Sequence, residues 1–163
     1  MIFCFRQMDQ QEAEEIANQW KYDGIYSFYD ISADEDDYQE FLDSDRRGNG
    51  CFSCYLENEL VGHYSVKILD GKAEIGLGLK PKLTGKGLGI IFINDVLEHI
   101  TFLTGVSDFR LSVALFNKRA IKAYENVGFT RKETFIQNTN GSTYEFLRME
   151  KFQDKSFLNA PDN

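Results

Sequence analysis

Residues 79–90 read Leu-Lys-Pro-Lys-Leu-Thr-Gly-Lys-Gly-Leu-Gly-Ile, and this stretch decides the fold. Three glycines alternate in it, Gly85, Gly87 and Gly89, with Lys86 among them. Residues 72–79 before it read as a strand, and a long apolar helical pattern follows it directly. A strand, a glycine-rich turn and a helix form a natural phosphate cradle. Glycine lets the backbone approach a ligand closely, and the first helical turn offers unpaired N–H groups at the positive end of the dipole.

Working outward, three strands precede the turn, at about 51–57, 60–69 and 72–79, joined by the dipeptides Asn58-Glu59 and Asp70-Gly71. A helix over 87–103 follows, with Leu88, Ile91, Phe92, Val96 and Ile100 at helical spacing. Next come a strand at 109–115 and a helix at 118–127 stopped by Gly128. The last pair of strands, 129–139 and 143–151, turns at Asn140-Gly141, the strongest short hairpin signal in the chain. At the front, 2–7 reads as a strand, and Asp9 with Glu12 forms a capping box for a helix ended by Gly24. Ser32 or Asp34 caps a second helix carrying Tyr38, Phe41 and Leu42. The order is β-α-α-β-β-β-α-β-α-β-β. This predicts an α/β protein of α+β type, a mixed, mostly antiparallel sheet of six to seven strands flanked by helices. One domain over 1–152 is expected, with a tail at 153–163.

Composition narrows the function. The chain has 163 residues and a net charge of −8, which argues against a nucleic-acid partner. The charge is unevenly placed. From Asp9 to Asp45 there are thirteen acidic residues against one basic, a balance of −12. From Lys80 to Lys132 there are nine basic against four acidic, a balance of +5. That asymmetry suits an anionic ligand at the glycine turn and a cationic one opposite, although a solvated acidic face explains any single carboxylate equally well. No apolar run approaches the roughly 20 residues of a membrane span, and the first residues show no basic region before an apolar core. A soluble cytoplasmic protein without a membrane partner is expected. Cys51 and Cys54 stand three apart on a strand and so point to opposite faces, which favours structural cysteines over a metal site.

Other phosphate folds do not fit. The chain has no G-x-x-x-x-G-K-[ST]. A dinucleotide site requires G-x-G-x-x-G, but position 90 is Ile, and three antiparallel strands precede the turn.

The segments KAEIGLGLKPKLTGKGLGI and RLSVALFNKRAIKAYENVGF together resemble the acetyl-CoA-binding core of the GNAT (GCN5-related) N-acetyltransferases. The family's Gln/Arg-x-x-Gly-x-Gly/Ala motif falls on Thr84 to Gly89, with Thr84 where Gln or Arg is usual. Its Asn…Ala…Tyr…Gly-Phe signature falls on Asn117, Ala120, Tyr124 and Gly128-Phe129. The resemblance implies the acyl-CoA N-acyltransferase fold and acetyl-CoA as acetyl donor, with no metal. It implies that the N–H groups of Thr84, Gly85, Lys86, Gly87, Leu88 and Gly89 hold the pyrophosphate, and that Leu77, Gly78 and Leu79 pair with the pantetheine amides. Lys82, Lys86, Lys118, Arg119 and Lys122 are candidates for the adenosine phosphates, and Asn117 and Ala120 are implied as cofactor-binding too, Asn117 orienting the pantetheine arm or the Tyr124 helix. It further implies Tyr124 as general acid to the thiolate and Glu74 as general base.

The acceptor site in such proteins is built from the first helices, here the segment holding Tyr26, Phe28, Tyr29 and Asp30 with the acidic run 34–37. Its aromatic side chains serve either as core or as pocket wall. A small cationic amine is the expected acceptor. A peptide N-terminus, as for enzymes acting on ribosomal proteins, and a non-catalytic acyl-CoA-binding module are the alternatives. A monomer or homodimer is expected.

Overall fold

The structure is a computed structural model and describes residues 1–153; of the expected tail, all but Gln153 lies outside the described residues. The elements are β1 (Cys4–Gln7), α1 (Gln10–Gln19), α2 (Glu35–Leu42), α3 (Ser44–Arg47), β2 (Cys51–Leu56), β3 (Glu59–Leu69), β4 (Lys72–Leu79), α4 (Gly89–Thr104), β5 (Phe109–Ala114), α5 (Lys118–Val127), β6 (Thr130–Thr139) and β7 (Ser142–Lys151). All seven strands form one sheet in the order β1-β2-β3-β4-β5-β7-β6. Only β4 and β5 run parallel, because α4 carries the chain across between them.

Two turns match the expected residues: Asp70-Gly71 and Asn140-Gly141 both adopt positive φ at each central position, as a two-residue hairpin requires. The first hairpin differs. Its positive-φ pair is Glu57-Asn58, with Leu56 opposite Glu59, so the turn sits one residue earlier than Asn58-Glu59. Asn58 tolerates the left-handed conformation, and the strand alternation of 51–56 fixes the register. The α4 helix also begins later than expected, at Gly89, since Gly85 and Gly87 sit at φ 72° and 80° and cannot be helical.

The sheet has two differently covered faces. On one, α4 buries Phe92, Ile93, Val96, Leu97 and Ile100 in a cluster shared with Phe3, Cys54, Val61, Tyr64, Ile75 and Met149. Asp95 on that helix accepts bonds from the N–H groups of Ile2 and Phe3, at 2.8 and 3.1 Å. On the other face, α1 buries Ala13, Ile16 and Trp20 with Met8 and Leu60, and Phe41, Cys51 and Tyr55 border that cluster. Cys51 and Cys54 thus belong to opposite faces, as their spacing predicts. The capping box of Asp9 and Glu12 closes the start of α1, and Glu12 also takes bonds from Arg6 and Tyr55.

Strand β3 carries a bulge against β2: Cys54 pairs with Gly62 but Tyr55 pairs with Leu60, leaving Val61 as the extra residue. Val61 joins the α4-side cluster, and a Cβ on Gly62 would also meet Phe92 of α4, at 3.0 Å. Two successive residues therefore face α4. From there on the alternation is inverted, so Tyr64 faces α4 while His63 and Ser65 face α1 and α2.

Candidate active site

Strands β4 and β5 pair only at Ala73–Phe109 and Glu74–Arg110. Beyond these two pairs they diverge, while β4 stays paired with β3 up to Leu79 and β5 with β7 up to Ala114. The result is a cleft of about 620 Å³ lined on one side by Ile75 to Leu79 and on the other by Leu111 to Val113. Beyond Glu74 the edge of β4 facing it has no strand partner and is open to an extended ligand, except that the Leu79 carbonyl accepts the Tyr22 hydroxyl at 2.6 Å.

At one end the cleft meets the glycine turn. Thr84, Gly85, Gly87 and Gly89 line it. The N–H of Thr84 does not point to a ligand: it bonds the Pro81 carbonyl at 3.2 Å, as does the Thr84 hydroxyl at 2.8 Å. From Gly85 to Ile91 no backbone N–H has a backbone partner among the described residues, which leaves a row of donors at the start of α4. The Arg119 guanidinium lies 4.4 Å from the Tyr26 ring centre, and a Cβ on Gly85 would stand 3.2 Å from it. Arg119, Ala120 and Lys122 line the cleft; Lys86, Leu88 and Lys118 do not, and Lys82 is paired with Glu59 at 2.6 Å.

Tyr124 of α5 lines the same cleft, its ring edge-on to Phe129 with centroids 5.6 Å apart. Burial, and then the neighbouring Tyr29, raise its pKa well above the usual phenol value. The hydroxyl therefore keeps its proton throughout the physiological range. Asn117 is buried and caps α5, accepting the Ala120 N–H at 3.2 Å. The buried hydroxyl of Tyr29 lies by the Asn117 side chain and the Ala114 backbone without a well-formed bond to either.

The acceptor-side residues divide. Tyr26 and Tyr29 line the cleft, together with Tyr22, Ile31 and Phe41. Phe28 turns away into an aromatic cluster with Phe116, Tyr144 and Phe146. Asp30 is used within the fold, accepting the Tyr22 N–H at 2.8 Å. Asp34 caps α2 through the Asp37 N–H and accepts the Asn140 N–H at 3.0 Å. Those bonds pull its pKa below the usual carboxylate range. Asn140 also donates from Nδ2 to the Phe28 carbonyl at 2.9 Å, so the tip of the β6–β7 hairpin fastens the acceptor segment. Glu74 is not brought to the cleft. It is held by Arg110 at 2.8 Å and sits on the last pair before the strands diverge.

Sequence reasoning passed over His63. It lines the cleft opposite Gly78, between Trp20 and Phe41, whose ring centres are each 5.8 Å away. Burial alone lowers its pKa to about 4, so the ring is neutral near pH 7. Strict alternation from Leu60 would put it on the α4 face; only the bulge at Val61 reveals otherwise. None of the described residues lining the cleft is Asp or Glu. Among the described residues no group of three His, Cys, Asp or Glu side chains is placed to hold a metal, and no helix is long and apolar enough to cross a membrane.

Comparison with known proteins bears on this geometry. The sequence model of the acetyltransferase (GNAT) family matches residues 11–129. The spermidine N(1)-acetyltransferase of Vibrio cholerae serotype O1 is 27% identical over 105 residues, which make up 63% of this chain and 60% of that protein. Its crystallised counterpart, the spermidine N-acetyltransferase from Vibrio cholerae in complex with CoA and spermine, has a TM-score of 0.74 at 20% identity, covering 97% of this chain and 99% of that one. A GNAT-family acetyltransferase from Bacillus anthracis gives 0.70 at 17% identity, over 92% and 94%. These structural likenesses show a shared fold. The family match spans the glycine turn, the diverging strands and Tyr124, and the chain belongs to the GNAT acetyltransferase family.

Proposed function

We propose that the chain transfers the acetyl group of acetyl-CoA to a primary amine by direct attack in a ternary complex. The observation that carries this reading is the divergence of β4 and β5, which leaves one cleft with a row of free N–H donors at its end and a protonated Tyr124 within it. The N–H groups from Gly85 to Gly89 suit a pyrophosphate, and Arg119 and Lys122 supply positive charge beside them. The edge of β4 at Leu77, Gly78 and Leu79, where Tyr22 already bonds the Leu79 carbonyl, suits the amides of the pantetheine arm, with a backbone N–H near Leu77 directed at the oxyanion. Asn117 keeps α5, and with it Tyr124, in place. Tyr124 donates to the sulfur as the thiolate departs. Glu74 has no part in this reading, being bound to Arg110 outside the cleft lining.

The acceptor we propose is a small cationic amine. The acidic surface of α1 to α3 supports this, as does the Vibrio cholerae relative named for spermidine. Among the described residues the cleft interior offers no carboxylate, so the reacting nitrogen would sit among Tyr22, Phe41 and His63. Remaining positive charge on the acceptor would meet acids at the rim, such as Glu40, whose charge reaches the cleft-lining Cys51. A neutral nitrogen is what attack requires, and an apolar surround favours the neutral form.

Release of free thiol from acetyl-CoA, screened against polyamines, amino sugars and peptides, tests the reading. Amine-dependent release with matching N-acetylated product is the expected result. Tight acetyl-CoA binding with no release across the panel would instead mark a non-catalytic module.

A further inference from the structure

We propose that His63 is the group that takes the proton from the acceptor amine, an inference that rests on the transferase reading above. His63 projects from β3 directly opposite Gly78 of β4, the strand whose open edge faces the cleft. Gly78 makes room for it: a Cβ there would lie 2.4 Å from Nε2 and 3.0 Å from Cδ2 and Cε1. The ring is therefore laid against the β4 backbone, with Trp20 of α1 and Phe41 of α2 at its sides.

The elements around it leave that nitrogen free. From α1 it meets Trp20, from α2 Phe41, from β4 Gly78, and from β2 its cross-strand neighbour Ser53, with Cys51 also at the cleft. Neither ring nitrogen has a hydrogen-bond partner among the described residues, and no charge contributes to its lowered pKa. The titratable groups nearby, the Cys51 thiol and the Tyr22 phenol, are both pushed upward by burial and stay neutral. Among the described residues no other base competes. None of the described cleft residues is a carboxylate, and Glu74 lies four residues back from Gly78, roughly 13 Å along the strand.

The bulge gives the placement its purpose. Were Val61 paired in a regular ladder instead of bulged, His63 would face α4, and the ring would be in the core rather than the cleft. Bulges commonly re-aim a side chain beside an active site.

The proton balance closes. The neutral amine attacks the thioester carbonyl carbon, so a C–N bond forms and the C–S bond breaks. The amine nitrogen loses one proton to His63, and the departing sulfur gains one from Tyr124. Exchange with solvent then returns a proton from His63 and one to Tyr124. An acceptor arriving as an ammonium ion loses its extra proton to water on entering the cleft. Although a ring of low pKa is a weak base toward a free ammonium, the nitrogen grows more acidic as the C–N bond forms and becomes strongly acidic as the C–S bond breaks and the amide develops. Transfer concerted with that collapse is downhill.

The test uses the full chain with acetyl-CoA and, as probes, spermidine, 1,4-diaminobutane and benzylamine. His63→Gln is expected to lower kcat/KM for the amine about a hundredfold or more, with acetyl-CoA KM changed less than twofold. Its residual rate should rise tenfold per pH unit as hydroxide replaces the base, and added imidazole should restore part of the activity of His63→Ala. A His63→Gln rate within threefold of wild type, with a parallel pH profile, overturns the proposal while leaving the transferase reading intact. Wild type without turnover on any amine overturns both. A readout independent of the variants is the 15N-histidine NMR spectrum of the wild-type chain with a CoA thioether analogue. Addition of an accepted amine should shift the ring nitrogens of His63 and leave those of His99, bonded to Tyr64 at 2.7 Å, unmoved. An unmoved His63 overturns the proposal.

Discussion

Replacing Tyr124 by Phe separates chemistry from folding in a single variant. The ring keeps its edge-on contact with Phe129 and its packing against the α4-side core. Only the hydroxyl is lost, and burial and Tyr29 raise its pKa with no hydrogen bond to offset them. The hydroxyl is not among the fully buried unpartnered groups, and Tyr124 lines the cleft, so its removal is expected to change stability by less than about 1 kcal/mol. At roughly 2–4 °C per kcal/mol for a chain of this size, Tm should stay within about 4 °C of wild type. Catalysis should respond far more. Loss of the proton donor is expected to lower kcat about ten- to a hundredfold, or roughly 1.4–2.7 kcal/mol of barrier, with acetyl-CoA KM little changed. Thiol release at saturating substrates reads the first quantity and scanning calorimetry the second. Full retention of kcat would remove Tyr124 from the mechanism. A Tm fall beyond 4 °C would mean that the hydroxyl holds the fold.

Three further outcomes follow from particular contacts. Gly78→Ala drives a methyl group to 2.4 Å from the His63 ring, and overpacking of this kind costs about 1–3 kcal/mol. Calorimetry should register a Tm loss of roughly 2–12 °C; an unchanged Tm would mean that the ring swings freely out of the cleft. The lowered pKa of His63, about 4 against an ordinary 6.5, makes the unfolded chain hold more protons between those values. Stability should therefore be complete above pH 6.5 and decline toward pH 4, by on the order of 3 kcal/mol. Urea midpoints should show this decline in wild type and a shallower one in His63→Gln, and parallel curves would refute it. Joint replacement Asp37→Asn and Glu40→Gln, which spares the bonded Asp30 and Asp34, should raise KM for a cationic acceptor several-fold. The effect should shrink in high salt, and unchanged acceptor kinetics would detach the acidic face from binding.

Much of the fold was legible because its signals are local. The hairpin dipeptides Asp70-Gly71 and Asn140-Gly141, the capping box at Asp9 and the apolar spacing of α4 each fix an element without help from the rest. The site was legible where backbone chemistry dictates it, as at Gly85 and Gly87 with their positive φ. It was not legible where side chains serve two masters. Asp30 looks like a free charge in the sequence, yet the Tyr22 N–H consumes it, and Asp34, legible as a helix cap, also takes the distant Asn140 N–H. Glu74 sits on the expected strand but one pair too early, where Arg110 claims it. His63 was hidden because a single unpaired residue, Val61, reverses which face every later side chain takes.

The two bonds from Asn140 have a bearing on how such a protein could change its acceptor. They join segments about a hundred residues apart, the hairpin tip and the loop carrying Phe28 and Asp34. That loop and that tip therefore form one module for inheritance and for engineering. An acceptor loop grafted from a relative without its matching hairpin tip would arrive without its anchor, leaving its pocket-lining tyrosines unsupported. A graft that carries both segments would bring the wall and its clasp together, and the donor end of the cleft would be untouched.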